Sequence, residues 1–215
     1  DFNPNAVWNK ITQDRAVTLT SEINPIQYLK EVEAITYNGT GGRSAISMTK
    51  NSRVYHENDM GTISEATVDS SDVALNVYAP ANPLFTSVRG ISKRYDKEKI
   101  NPTSLLSTSA LISVAADRDD PKRVNFISIQ HSHAIACDAY RALPLRTGYE
   151  RVMAHRMSDL FAQTAKKDGK VVSVSSTGMV VEYKDGSKDS FVLGRRYGNS
   201  AGLTIPHLLT TSLKE

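Results

Sequence analysis

Hydrophobic positions change their period along this chain. Ile26, Leu29, Val32 and Ile35 recur every three residues, which predicts a helix with one apolar face. Asn24-Pro25 opens it, with Asn as N-cap and Pro in the first turn. Asn38-Gly39 is predicted to stop it, and the loop Gly39-Thr40-Gly41-Gly42 follows. Leu105–Ala115 is apolar without a deciding period. Farther on the period is two. Lys170–Ser175, Met179–Tyr183 and Ser190–Leu193 read as strands, with turns at Thr177-Gly178 and Asp185-Gly186. That pattern predicts a three-stranded antiparallel meander. Between these regions, Val152, Met153, Met157, Leu160 and Phe161 form a helical stripe from about Gly148, yet Phe161–Lys166 also reads as a strand turning at Asp168-Gly169. The expected fold class is α+β, with helices and antiparallel strands mixed in the N-terminal half and a β-rich C-terminal part. The shift of composition at Asp96–Thr103 is the candidate connection, which divides the chain into residues 1–100 and 101–215.

Composition narrows the function classes modestly. With 215 residues the chain is one large domain or two small ones. It is 40% hydrophobic and 23% charged, ordinary for a folded protein, and no apolar run approaches the ~18 residues of a membrane span. The single cysteine, Cys137, excludes an internal disulfide and disfavours a Cys-based zinc site. A net charge of +3 and a pI near 8.9 are compatible with nucleic acid without implying it. Asp1 stands where a start methionine would, and is read as a cut from a longer polypeptide or as the first ordered residue.

Three clusters carry candidate chemistry. Gly39-Thr40-Gly41-Gly42-Arg43 is a glycine-rich loop ending in a cation, able to bring backbone amides close to a phosphate. It lacks the Lys-Ser/Thr ending of a P-loop, and a plain connection is the bland alternative. His131-Ser132-His133 would turn two imidazoles to one side of a strand, with Cys137 and Asp138 nearby. No third metal ligand sits at a convincing spacing, so hydrogen-bonded or nucleic-acid-facing histidines compete with a metal site. Asp119-Asp120-Pro121-Lys122-Arg123 reads as a charged turn: a solvated loop, or carboxylates orienting Arg123 towards a phosphate. No serine-nucleophile elbow or catalytic cysteine setting is present.

The order of these pieces resembles the β subunit of multisubunit DNA-directed RNA polymerase, over roughly Asn24 to the end. Asn24-Pro25, Gly39-Thr40-Gly41-Gly42, then His56 and Gly61 are similar to the family's Asn-Pro, Gly-Pro-Gly-Gly and Asp-Val-His-Pro-Thr-His-Tyr-Gly series. Leu111-Ile112 and Asp119-Asp120-Pro121-Lys122-Arg123 resemble its Leu-Ile-Pro-Phe and His-Asp-Asp-Ala-Asn-Arg run. Gln130 to Ala136 stands where the family has Met-Gln-Arg-Gln-Ala-Val, and Thr147-Gly148-Tyr149-Glu150 looks like Thr-Gly-Met-Glu. Lys166–Val172, the Met179–Tyr183 strand and Leu193–Ser200 match later stretches. This order also settles the ambiguous segment, implying a short helix ending near Met157 and a strand at Phe161–Lys166.

The resemblance implies template-directed nucleotidyl transfer from nucleoside triphosphates to RNA by a larger assembly. This segment would be a positioning part. Lys122 and Arg123 would contact the triphosphate. Gly39, Gly41, Gly42 and Arg43 would form a fork loop at the downstream DNA, and His56, Gln130, His131 and His133 would line the nucleic-acid face. The partners implied are a β′-like subunit, the other β-like part, DNA template, RNA and nucleoside triphosphates. Catalytic Mg2+ would be held by the β′-like partner, and no membrane is involved. The family's Glu-Thr-Pro-Glu-Gly-Pro-Asn run is Glu65–Asp72 here, without prolines or glycine, and Ser132 and His133 replace Arg and Gln. Such departures, and a missing insertion between Arg94 and Asn101, look like the split-subunit polymerases of large bacteriophages, active in the host cytoplasm or packaged in the virion. The rifampicin pocket of bacterial enzymes would map to Thr18, Leu19, Ser21, Glu31, Ala34 and Thr36, where most of the drug's polar partners are replaced. Two rivals remain: a structural polymerase-like subunit without an active-centre role, and a small metal-dependent enzyme using His131 and His133.

Overall fold

The computed structural model describes residues 2–21, 23–133, 135, 144–175, 177–192, 194–197 and 204–207. The chain divides into two compact units, Asp1–Ser21 with Ile26–Thr147, and Glu22–Pro25 with Gly148–Glu215. The stretch Asp96–Thr103, expected as a connection, lies within the first unit. The fold class is α+β, as the sequence predicts.

In the first unit, helix α1 spans Pro4–Thr12 and α2 spans Pro25–Glu33. Asn3 caps α1, its Oδ1 accepting from the amides of Asn5 and Ala6. No residue of α1 is buried. Helix α2 ends five residues before the expected stop at Asn38, because Ala34–Thr36 forms strand β1 instead. Strand β1 pairs antiparallel with β2 (Asn76–Tyr78), Ile35 facing Val77. The sheet thus overrides the three-residue spacing that extended the helix to Ile35. The buried face of α2 is Ile26, Leu29 and Glu33, while Val32 is exposed.

Three short helices follow: α3 (Pro102–Leu105), α4 (Thr108–Ile112) and α5 (Pro121–Gln130). Each starts at a polar cap: Asn101 to the Thr103 amide, Ser107 to Ala110 and Asp120 to Lys122. The ambiguous segment Leu105–Ala115 is therefore helical in its middle. Its buried residues are small and mostly hydroxylic: Ser107, Thr108, Ser109, Ala110 and Ser113. Small side chains permit close approach of backbone, and buried hydroxyls find local acceptors, as Ser113 does on the Ser109 carbonyl at 2.8 Å. The core around them is Ile26, Leu29, Ala66, Leu75, Val77 and Val124.

In the second unit, α6 (Tyr149–Met153) continues as a 3₁₀ turn to Arg156, so the short helix ends where expected. The expected strand at Phe161–Lys166 does not form; the described backbone there has no regular structure. The physical reason is the lack of a partner. β4 (Gly178–Tyr183) runs out at Tyr183, which faces Gly169 at the start of β3 (Gly169–Val174). Strand β5 (Lys188–Val192) covers the other edge of β4. The meander order β3-β4-β5 is the one the alternation predicts. Tyr183 is buried, and its hydroxyl donates to Asp189 Oδ2 at 2.7 Å. Lys167 pairs with Asp185, and with the hydrogen bonds from Ser187 this holds the Asp185 carboxyl well below the usual carboxylate range. Strands β6 (Gly194–Tyr197) and β7 (Thr204–His207) form a separate antiparallel pair.

Candidate functional site

Helix α5 carries the residues assigned to the triphosphate. Val124 and Ser128, one turn apart, are its buried face, and Asn125 Oδ1 accepts the Thr67 amide at 3.1 Å. Lys122 and Arg123 are exposed in its first turn. The stretch expected as a charged turn is thus a capped helix start with Pro121 at its first position. Asp120 Oδ1 accepts the Lys122 amide at 3.0 Å, and Asp119 Oδ1 accepts the Asp120 amide at 2.8 Å. Both carboxylates serve the backbone, and among the described residues no carboxylate holds Arg123. A helix N-terminus bearing two exposed cations is suited to an anion, because amide dipoles and side-chain charges have the same sign there.

The other end of α5 holds Gln130, exposed, and His131, which caps the helix rather than lying in a strand. His131 and His133 therefore stand at a helix end and just beyond it, not on one side of a strand. His133 is exposed in the following turn, its amide donating to the Gln130 carbonyl at 3.0 Å. Lys30 of α2 reaches this end. Its Nζ donates to the Ser128 carbonyl at 3.2 Å and to Ser132 Oγ at 3.3 Å, and lies 5.1 Å from the Tyr78 ring centre. Burial lowers the Lys30 pKa. Burial, followed by the Lys30 charge, lowers that of His131. Among the described residues, no three His, Cys, Asp or Glu side chains are grouped to hold a metal. Cys137 and Asp138 lie outside the described residues.

The glycine loop is a closed turn. The Gly42 amide donates to the Gly39 carbonyl at 2.8 Å and the Arg43 amide to the Tyr37 carbonyl at 2.9 Å. Two loop amides are therefore already satisfied by the chain, while the Arg43 side chain is exposed. Gly41 has φ +80°, and a Cβ on Gly42 would stand 2.4 Å from the Tyr37 carbonyl oxygen. His56 is exposed, its amide bonded to Asp59 Oδ2 at 2.9 Å. Of the residues mapped to a rifampicin pocket, Glu31 accepts the Ser21 amide at 2.5 Å and the Gln27 side-chain amide at 3.0 Å, and Thr36 donates to Asn76 Oδ1.

The sequence-derived residues do not converge on one pocket. Arg123 and Gln130 are seven residue steps apart on the helix, about 10 Å along the axis. The glycine loop and His56 lie on other segments. Two cavities of the first unit are lined by none of them. One, of about 10 Å³, has room for a single water among Lys30, Glu33, Tyr78, Thr108 and Ser128. The other is far larger, about 490 Å³, with Tyr37, Arg53, Tyr55, Asp59 and Glu65 in its wall. Sequence reasoning missed this cavity, since its lining comes from separated stretches with no shared period.

A 90-residue stretch of the chain is 33% identical to the β subunit of DNA-directed RNA polymerase of Desulfatibacillum aliphaticivorans. The chain is distantly related to that subunit. The match takes in 42% of this chain but only 6% of the polymerase subunit. No family model matches the chain. Among the described residues, no helix is long and apolar enough to cross a membrane.

Proposed function

We propose that this chain is a central segment of a β-like subunit of DNA-directed RNA polymerase, of the split-subunit type found in large bacteriophages. The observation that carries the reading is the partial identity to a polymerase β subunit, with Lys122 and Arg123 exposed on a capped helix start. In this reading the RNA 3′ hydroxyl attacks the α-phosphate of a nucleoside triphosphate and pyrophosphate leaves. Arg123 and Lys122 hold the triphosphate and neutralise charge on the departing pyrophosphate. The loop Gly39–Arg43 meets downstream DNA through Arg43, and His56, Gln130, His131 and His133 face nucleic acid. Magnesium, held by a β′-like partner, supplies the charge that stabilises the reacting oxygens. The assembly works in the infected host cytoplasm or in the virion, and its altered pocket makes it insensitive to rifampicin.

The test is Arg123→Ala in the assembled enzyme, assayed by elongation across a triphosphate titration. Loss of one charge-assisted phosphate contact, ~1.5–3 kcal/mol, raises the apparent KM about tenfold or more, or lowers the rate similarly. An unchanged rate at low triphosphate would remove Arg123 from the active centre and favour the structural-subunit reading. The 215-residue chain alone is expected to make no RNA.

A further inference from the structure

We propose that the cavity of about 490 Å³ in the first unit binds a small amphipathic cation, an amine carried on a compact apolar body. This inference is independent of the polymerase reading. The volume is in the range of small-molecule pockets, ~300–1,000 Å³. Much of the wall is apolar, with Met60, Ile63, Ala66, Val77 and Leu105 contributed by three separate segments. Such a wall selects an apolar body by burial.

The polar groups decide the charge of the occupant. Two carboxylates, Asp59 and Glu65, stand in the lining against one cation, Arg53. Arg53 is tied to the rim, its Nη1 donating to the carbonyls of Ser71 at 2.7 Å and Val73 at 2.8 Å. The carboxylates are held too. Glu65 accepts the Ser107 amide at 2.9 Å and its hydroxyl at 2.7 Å, and Asp59 accepts the His56 amide. A carboxylate has about four acceptor sites, so each keeps capacity for a ligand N–H.

The field inside the cavity agrees. Tyr37 and Tyr55 both have raised pKa values, by burial first and then by the charge of Asp59, joined at Tyr55 by Glu65. Both hydroxyls thus feel the Asp59 charge in addition to their burial. The same two rings supply aromatic surface, which favours a cation further. The Tyr55 hydroxyl donates to the Ile63 carbonyl at 3.2 Å, which fixes one side of the wall.

The experiment titrates the 215-residue chain with three similar probes: 2-phenylethylamine, 2-phenylethanol and phenylacetate. Binding is followed by calorimetry and by amide chemical shifts. The amine is expected to saturate and to bind about tenfold or more tighter than the alcohol, with the anion weakest. Asp59→Asn and Glu65→Gln keep the shapes and one acceptor oxygen each while removing the charge, and each should reduce the amine's advantage over the alcohol. Val54→Trp, at a half-exposed lining position, should block all binding without touching the core. Equal affinity for amine and alcohol would overturn the proposal. So would no saturable amine binding, or amine binding unaltered by Val54→Trp in a chain that keeps its circular dichroism.

Discussion

Ser107→Ala should be among the costlier polar substitutions in the first unit. Ser107 is 4% exposed and its hydroxyl works in two directions. It accepts the Ala110 amide at 3.2 Å as the N-cap of α4, and donates to Glu65 Oε1 at 2.7 Å. Loss of a Ser cap costs ~1 kcal/mol, and loss of a hydrogen bond to a charged group ~1.5–3 kcal/mol. Ser107 itself is enclosed, so the two losses together reach up to about 2.5–4 kcal/mol. Glu65→Gln is the graded comparison. It keeps the shape and one acceptor oxygen, and should cost only about 1 kcal/mol. The assay is urea unfolding followed by far-ultraviolet circular dichroism. Two compact units permit two transitions, so the transition of the first unit must be identified. Leu75→Ala marks it, because Leu75 is 0% exposed and its truncation should cost ~2–5 kcal/mol. The Ser107→Ala loss should appear in that transition as a lowered midpoint with an unchanged slope. A stability within about 0.5 kcal/mol of wild type, the range of ordinary surface changes, would refute the two-way role of Ser107.

Two further outcomes follow from the site geometry. Burial and the Lys30 charge lower the His131 pKa below its ordinary 6.5, so the unfolded chain takes up the proton first as pH falls. Stability is then full above pH 6.5 and declines as pH falls from there through the folded-state value; His131→Gln should flatten that decline below pH 6.5, and an identical slope in both proteins would contradict it. In the glycine loop, Gly41→Ala meets open space but needs φ +80°, and should cost about 1 kcal/mol with the loop retained. Gly42→Ala drives a Cβ against the Tyr37 carbonyl and should break the Arg43 amide bond to it, seen as faster hydrogen exchange at Arg43; equal protection in both variants would show that the turn is not closed as described.

Local signals in the sequence determined the pieces whose cause is local. The two-residue alternation and the glycine turns specify the meander, because a strand pair joined by a tight turn needs little else. Asn24-Pro25 marks a helix start, and the same polar-Pro signal at Asn3-Pro4, Asn101-Pro102 and Asp120-Pro121 opens three more helices. Those three were equally legible, since each cap acts within three residues; Asp120-Pro121 was masked by the charges around it, which suggested a loop. Tertiary structure decided the rest. Ile35 fits a helix by spacing but lies in a strand because Val77, forty-two residues on, supplies the hydrogen-bonding partner. Phe161–Lys166 has strand-like composition and forms none, since the neighbouring strand ends at Tyr183. The sites divide in the same way. Sequence could nominate Lys122, Arg123, the glycine loop and the histidines by residue type, but not whether they meet, and the fold puts Arg123 and His131 at opposite ends of one helix. The large cavity was invisible in the sequence. Asp59, Glu65, Tyr37 and Leu105 become neighbours only through long-range packing, and no local period records a space that the chain leaves empty.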